Sequence, residues 1–222
     1  MSLQETTTEA CEFAPSWAQP SHPNQLEVRK GDEPYSSSAR SLVNLPAGSH
    51  FAKIDTATEA KHTTYTSVAN GKNCRIELNS DLVYCNHSCR PSLIFDMSRF
   101  EVRVADDRPL AIGDELTFFY PSTEWEMVQP FQCNCGAQGK CRGLISGAAN
   151  LETSILSQYW LNQHIRDLLQ DREQRANGDI ARSFVSANAV SMDKFNYTVD
   201  GVVELQTGLV RGGVLQRTER EE

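Results

Sequence analysis

Residues 86–91 of the chain are NHSCRP, and residues 113–120 are GDELTFFY. The second stretch predicts a short apolar strand that follows a Gly-Asp turn. Two other stretches, CRIEL at residues 74–78 and FEVRV at residues 100–104, alternate between polar and apolar side chains, which is typical of half-buried strands. Short strands separated by turns, with no long helix between them, predict a compact, mainly β domain with some α structure.

A cluster of thiols follows these strands. Cys133, Cys135 and Cys141 lie within nine residues, and a structural zinc site needs four thiolate or imidazole ligands. We therefore expect a fourth ligand from elsewhere in the chain, and the alternative is three incidental surface thiols near a turn. The candidates for the fourth ligand are Cys89, His87, Cys85 and Cys74.

Composition excludes several classes of protein. The chain has 222 residues, a formal net charge of -8 and a pI near 5.2, so sequence-independent binding to nucleic acid is not expected. It contains no apolar run of eighteen residues and no Lys or Arg before Arg29, which argues against a membrane span and a secretory signal. The odd total of seven cysteines then favours metal binding or free thiols over disulfides, as expected of an intracellular protein, without distinguishing the cytoplasm from the nucleus.

Three motifs, in order, carry a family resemblance. NHSCRP looks like the NHSCxP motif of SET-domain lysine methyltransferases, and GDELTFFY resembles their second motif, GxELTxxY. The cysteine cluster, followed by Arg142-Gly143, resembles the post-SET zinc loop. The resemblance covers roughly residues 26–147, and residues 121–125 with the helical pattern after 153 are similar to short, stand-alone SET proteins.

The resemblance implies a fold and a set of roles. The fold would be a SET-domain β-clip of short sheets with a knot-like active site, a post-SET zinc loop and a C-terminal helix. Asn86 and His87 would hold S-adenosylmethionine, and Phe131 would pack on its adenine. Tyr120 would be the catalytic tyrosine. Cys89 would complete a structural zinc site with the three clustered cysteines.

The implied reaction suits these residue types. Methyl transfer from a sulfonium to a lysine amine is an in-line displacement that needs a neutral amine, although a free lysine has a pKa of about 10.4. A narrow, poorly solvated channel lowers that pKa, and a tyrosine hydroxyl orients the amine. The expected acceptor is a basic protein or peptide, or a small molecule.

Four departures from the family pattern keep other functions open. Residues 34–41 are PYSSSARS, without the usual Gly-x-Gly; Ser92 and Phe119 stand where Asn and Asp are common; and the last spacer of the cysteine cluster has five residues where four are usual. One alternative is a SET-like fold used for non-methylating small-molecule chemistry, an isomerase or cyclase in which Tyr120 and His87 act as acid and base. Another is a non-catalytic, zinc-stabilised binding module.

The pattern along the chain also predicts its divisions. Apolar residues at threes and fours predict a helix over about 153–172, which Asn177-Gly178 ends. Residues 199–210 are a candidate hairpin, and Trp17 is a candidate anchor for a loose N-terminal arm. The expected segments are the arm at 1–24, a SET domain at 25–130, the zinc loop at 131–147, the helix at 148–175 and an extension or tail at 176–222.

Overall fold

The computed structural model describes residues 15–32, 36–64 and 66–192, with side chains through residue 179. The candidate hairpin at 199–210 lies outside the described residues. The chain divides into two units, Met1–Asn177 and Gly178–Glu222, and the candidate site described below belongs to the first.

Short strands dominate the described part of the chain, which confirms the mainly β prediction. The strands are β1 (Leu26–Arg29), β2 (Ser38–Ser41), β3 (His50–Lys53), β4 (Thr58–Glu59), β5 (Ser67–Ala69), β6 (Arg75–Glu77), β7 (Asn86–His87), β8 (Leu93–Asp96), β9 (Glu101–Val104), β10 (Thr117–Phe118), β11 (Phe131–Gln132) and β12 (Leu144–Ile145). They form two three-stranded sheets, β3-β9-β8 and β4-β6-β5, and three two-stranded pairs, β1-β2, β7-β10 and β11-β12.

The main core lies on the sheet β3-β9-β8. In β9, Val102 and Val104 are fully buried while the alternate residues are half-buried, as the polar-apolar alternation predicted. Phe95 of β8 stacks on Phe118 of β10 with ring centroids 4.1 Å apart. This stack joins the second sequence motif directly to the core.

The pair β7-β10 positions the candidate site. It is parallel, and it aligns Asn86 with Thr117 and His87 with Phe118. The backbone N–H of Ser88 donates to the carbonyl of Phe118, which extends the pairing by one residue. The two motifs therefore meet at this pair, although the paired residues are 31 positions apart in sequence.

The predicted helix over 153–172 is wrong in its continuity and its end. A single turn, α1 (Thr153–Leu156), precedes a long helix, α2 (Gln163–Met192). Between them, the side-chain amide of Asn162 donates to the carbonyls of Phe95 and Ser122, which holds this stretch in a tertiary contact instead of a helical turn. Gly178 does not end α2, because one exposed glycine costs a helix only about 1 kcal/mol relative to alanine.

Part of the expected loose arm is anchored. The indole of Trp17 and the amide of Gln19 donate to one carboxylate oxygen of Asp81, and the backbone N–H of Ser21 donates to the other. Asp81 begins the 3-10 turn Asp81–Tyr84, which leads directly into β7. The arm thus supports the strand that carries the first motif.

Among the described residues, none of the helices combines the length and the hydrophobicity that a bilayer span requires.

Candidate active site and thiol cluster

The four cysteines expected to bind zinc come together. The sulfur atoms of Cys89, Cys133, Cys135 and Cys141 all lie within 4.8 Å of one another, a spacing that could hold a metal ion. Of the four candidates for the fourth ligand, Cys89 is the one that joins this group. The cluster consequently ties the loop at 133–141 to the residue that directly follows Ser88 in the first motif.

Backbone hydrogen bonds shape the loop around the sulfurs. The N–H of Cys133 donates to the carbonyl of Gly143, and the N–H of Cys141 donates to the carbonyl of Ala137. The N–H of Arg142 donates to the sulfur of Cys89 over 3.3 Å. These bonds hold the loop in place with only two residues in each flanking strand, β11 and β12.

The thiols differ in acidity. Burial raises the pKa of Cys89 to about 11 and raises that of Cys133 further. Burial also raises the pKa of Cys135, but hydrogen bonds from the backbone of Cys89 and Ala137 and from neighbouring thiols outweigh it and bring the pKa to about 7. A bound cation would favour the thiolate form at all four positions.

Tyr120 lies at the start of the 3-10 turn Tyr120–Ser122, directly after β10. Its hydroxyl donates to the carbonyl of Cys85 over 3.3 Å, and its backbone N–H donates to the Nδ1 atom of His87 over 3.2 Å. Burial, followed by the charges on Cys85 and Glu124, raises the pKa of Tyr120 above its usual value. The hydroxyl therefore stays protonated and acts as a hydrogen-bond donor at neutral pH.

His87 connects the tyrosine to the thiol cluster. Burial lowers its pKa to about 4, so the imidazole is neutral at physiological pH. Because Nδ1 accepts from Tyr120, the proton belongs on Nε2, which lies 3.4 Å from the sulfur of Cys89. The ring also meets Tyr120 edge-on, with centroids 5.3 Å apart.

Asn86 and Phe131 are the other two residues predicted to hold the cofactor. The side-chain amide of Asn86 donates to the carbonyl of Ser37 over 3.0 Å, which connects the first motif to the serine-rich stretch near β2. The ring of Phe131 lies edge-on to His87 at 5.7 Å and to Tyr120 at 6.0 Å. His87, Tyr120, Phe131 and Cys89 thus belong to one group of contacts, and Asn86 adjoins it through its place beside His87 in β7.

Two sequence departures have structural reasons. Phe119 stacks on Tyr159 with centroids 3.7 Å apart, in a second core cluster with Leu156 and Ile165. The hydroxyl of Ser92 donates to the carbonyl of Glu115, beside β10. The chain therefore uses both positions for packing or for backbone support of the second motif.

Tyr159 and Cys85 contact the site in roles that the sequence did not predict, since Cys85 was a candidate only for the fourth zinc ligand. The Tyr159 hydroxyl donates to the carbonyl of Cys89 over 2.9 Å. The buried Cys85 supplies the carbonyl that accepts from Tyr120. In the sequence, Tyr159 stood out only as part of a helical pattern of apolar residues. Cys85 directly precedes the first motif, and this position was the sequence feature that could have indicated its contact with Tyr120.

Comparison with known proteins identifies the chain's relatives. No family model matches the chain. It is 65% identical over 162 residues to methyltransferase flvH of Aspergillus flavus, an alignment that covers 73% of this chain and 90% of that protein. The chain belongs to this methyltransferase family. Membership supports methyl transfer over the isomerase, cyclase and binding-module alternatives.

Proposed function

We propose that the protein is an S-adenosylmethionine-dependent methyltransferase of the SET class that transfers a methyl group to a lysine amine. The observation that carries this proposal is the parallel pairing of β7 with β10, since it brings Tyr120 against His87 in a chain of a methyltransferase family. The four clustered thiols lie beside His87, where the resemblance of the third motif to a post-SET loop would put them, and this also supports the proposal.

Asn86, His87 and Phe131 would hold the cofactor. An amide, a neutral imidazole and a half-buried aromatic ring suit a ligand that combines polar groups with an adenine ring. When bound, the cofactor supplies an activated methyl group on sulfur. The bond from Asn86 to the carbonyl of Ser37 connects these residues to the stretch 34–41, which lacks the usual Gly-x-Gly.

Cys89, Cys133, Cys135 and Cys141 would hold a structural zinc ion. Four thiols match the closed ligand set of structural sites, which leave no position open for substrate. The ion would fix the loop that carries Phe131 next to His87. Its proposed contribution is to the shape of the cofactor site and not to the bond that forms.

Tyr120 would orient the acceptor amine. Its hydroxyl is held neutral and points to the carbonyl of Cys85, so it can exchange hydrogen bonds with an amine without removing its proton. The aromatic surroundings, Phe118 and Phe131, would disfavour an ammonium ion relative to the free amine by desolvation. Rate acceleration would then come mainly from positioning.

The acceptor is proposed to be a basic protein or peptide, because the chain carries a net charge of -8. A small-molecule amine is the alternative. Neither proposal requires contact with nucleic acid or a membrane.

Calorimetric titration with S-adenosylhomocysteine tests the cofactor site. We expect micromolar binding to the zinc-loaded protein and a loss of at least about tenfold for Asn86→Ala, which removes a charge-neutral hydrogen-bonding group worth about 1 kcal/mol or more. Ser98→Ala, at an exposed serine away from the site, is the matched control. Because Asn86 also bonds Ser37, the thermal midpoint of each variant is measured in parallel. A folded, zinc-loaded protein that binds no cofactor analogue would contradict the proposal.

A further inference from the structure

A buried carboxylate lies four residues beyond Tyr120. Glu124 is only 8% exposed, although the motif analysis gave it no role. Charged side chains are rarely this buried unless they are paired and fully hydrogen-bonded. The partners of Glu124 therefore indicate what the carboxylate does.

Both oxygens of Glu124 are used. Oε1 accepts from the backbone N–H of Ala69 over 2.9 Å, and from the hydroxyl of Thr123 over 3.3 Å. Oε2 pairs with the guanidinium of Arg75 at 2.8 Å. Arg75 also donates to the carbonyl and hydroxyl of Ser67, and it is the register partner of Ala69. The carboxylate of Glu124 therefore binds residues of both β5 and β6.

The backbone of Glu124 belongs to the turn that carries Tyr120. Its N–H donates to the carbonyl of Tyr120 over 2.9 Å, and its carbonyl accepts from the N–H of Ala148. The N–H of Thr123 donates to the same Tyr120 carbonyl. Any movement of the Glu124 side chain relative to the sheet is therefore transmitted to Tyr120 through one short, hydrogen-bonded turn.

We propose that Glu124 is a positioning residue for Tyr120: its carboxylate, neutralised by Arg75, fixes the turn 120–124 against the edge of β5 and so sets where the tyrosine hydroxyl stands. The inference rests on the proposed function of Tyr120. A role in positioning Tyr120 explains the Glu124–Arg75 ion pair better than a role in stability does. A buried ion pair contributes little net stability compared with apolar side chains of similar size.

The negative charge of Glu124 also affects the pKa of the Tyr120 hydroxyl. After burial and Cys85, the Glu124 carboxylate is the third cause that raises the pKa of Tyr120. It helps to keep the phenol protonated, in the state that orients an amine. Glu124 thus adds to an effect on the Tyr120 pKa that burial dominates, and its main proposed role is in position.

Glu124→Gln tests the charge while nearly preserving shape. The amide oxygen can still accept from Ala69, but the amide cannot neutralise Arg75, so the turn shifts. We expect kcat for methyl transfer to fall about 10- to 100-fold, the size of effect expected from a displacement near 1 Å. The Kd for S-adenosylhomocysteine should change by a smaller factor than kcat, because the proposed cofactor residues lie on β7 and β11 and meet the shifted turn through Tyr120. Glu27→Gln, at an exposed carboxylate paired with Arg29, is the matched control.

Arg75→Met provides a second, independent variant. Alone it leaves the buried carboxylate without its cation, so kcat should fall further than in Glu124→Gln. Combined with Glu124→Gln it removes both charges, and the loss in kcat should be smaller than the product of the two single losses. Strictly multiplicative losses would overturn the proposal, because the two side chains would then act separately.

Amide hydrogen exchange separates this inference from the proposed function. In Glu124→Gln, the amides of Tyr120 and Thr123 should exchange at least about fivefold faster than in the wild type, whereas the amide of Val102 in the main core should not change. If the wild type transfers no methyl group, the proposed function fails while the exchange result still tests the positioning. Unchanged exchange at Tyr120, unchanged kcat, or a parallel fall in kcat, cofactor affinity and thermal midpoint would overturn the inference.

Discussion

At the scale of single residues, Tyr120 is the side chain on which the chemistry depends most. Tyr120→Phe removes one hydroxyl and its hydrogen bond to Cys85, which contributes about 1 kcal/mol to stability. We expect methyl transfer to fall at least about 100-fold, since the amine loses its orienting partner. Product formation followed by mass spectrometry, alongside the thermal midpoint, measures both effects.

The control for this variant is Tyr159→Phe. It removes a hydroxyl that donates to the carbonyl of Cys89, outside the proposed transfer site, and keeps the ring stacked on Phe119. It should lower stability by a similar amount with less than about a threefold effect on rate. Equal rates for wild type and Tyr120→Phe would show that the hydroxyl has no part in the reaction.

Some of these site residues could be predicted from the sequence and others could not. The three clustered cysteines were visible from their spacing, but the spacing left four candidates for the fourth ligand, and only the family resemblance singled out Cys89. Glu124 and Tyr159 gave no such signal. Their roles depend on partners about 50 to 70 residues away, and separations of that size leave no periodic trace in a sequence.

At the scale of elements, the cysteine loop at residues 131–147 has the least packing of its own to stabilise it. Its strands β11 and β12 have two residues each, and its core cluster has three buried members, Cys89, Cys133 and Ile145. Such a small core stabilises a loop only weakly without a metal ion. We therefore expect a strong chelator to increase amide exchange across residues 131–147, with recovery when zinc is added back.

Matched cysteine variants make this prediction specific. Cys135→Ser removes one of the four clustered thiols and should lower the zinc content measured by a colorimetric assay. Cys74→Ser, at an exposed thiol outside the cluster, should leave it unchanged. Equal zinc contents for the two variants would contradict the assigned ligand set.

The anchored arm gives a prediction about pH. Burial raises the pKa of Asp81, but hydrogen bonds from Gln19, Trp17 and Ser21 outweigh it and hold the pKa below its usual value of 3.8. The ionised carboxylate therefore stabilises the fold above about pH 4, and this contribution disappears as the pH falls through the lowered pKa. Asp81→Asn should cost about 1–3 kcal/mol in urea unfolding at pH 7 and less at pH 3.

Asp55→Asn, at an exposed carboxylate, is the control for this experiment and should change the free energy of unfolding by less than about 0.5 kcal/mol. A cost for Asp81→Asn that is equal at both pH values would mean that the anchor does not depend on the charge of Asp81.

The elements also show where local patterns failed. The strands at 74–78 and 100–104 were predicted correctly because alternation reflects one buried face. The helix after 153 was predicted as continuous because Leu161, Ile165 and Leu169 keep a helical spacing. Hydrogen bonds from Asn162 to two distant carbonyls interrupt it, and helical spacing carries no information about such bonds.

At the scale of the whole molecule, the fold class followed from the sequence but the topology did not. Short strands and turns predicted a mainly β structure, whereas the parallel pair β7-β10 joins two-residue strands across 31 positions. A pairing this short has too few residues to show alternation. Only the family resemblance predicted that the two motifs meet, and the proposed chemistry depends on that meeting.

The charge of the whole chain provides the last prediction, because it bears on the acceptor. A net charge of -8 attracts a lysine-rich peptide over distances of about one Debye length, near 10 Å at 0.1 M salt. We expect kcat/KM for such a peptide to fall at least about threefold between roughly 20 and 200 mM NaCl, mainly through slower association. A peptide with the same target lysine in a neutral sequence should show less than half of this effect. If both peptides respond equally, or if only a free amine is methylated, the basic-peptide acceptor is wrong and the small-molecule alternative takes its place.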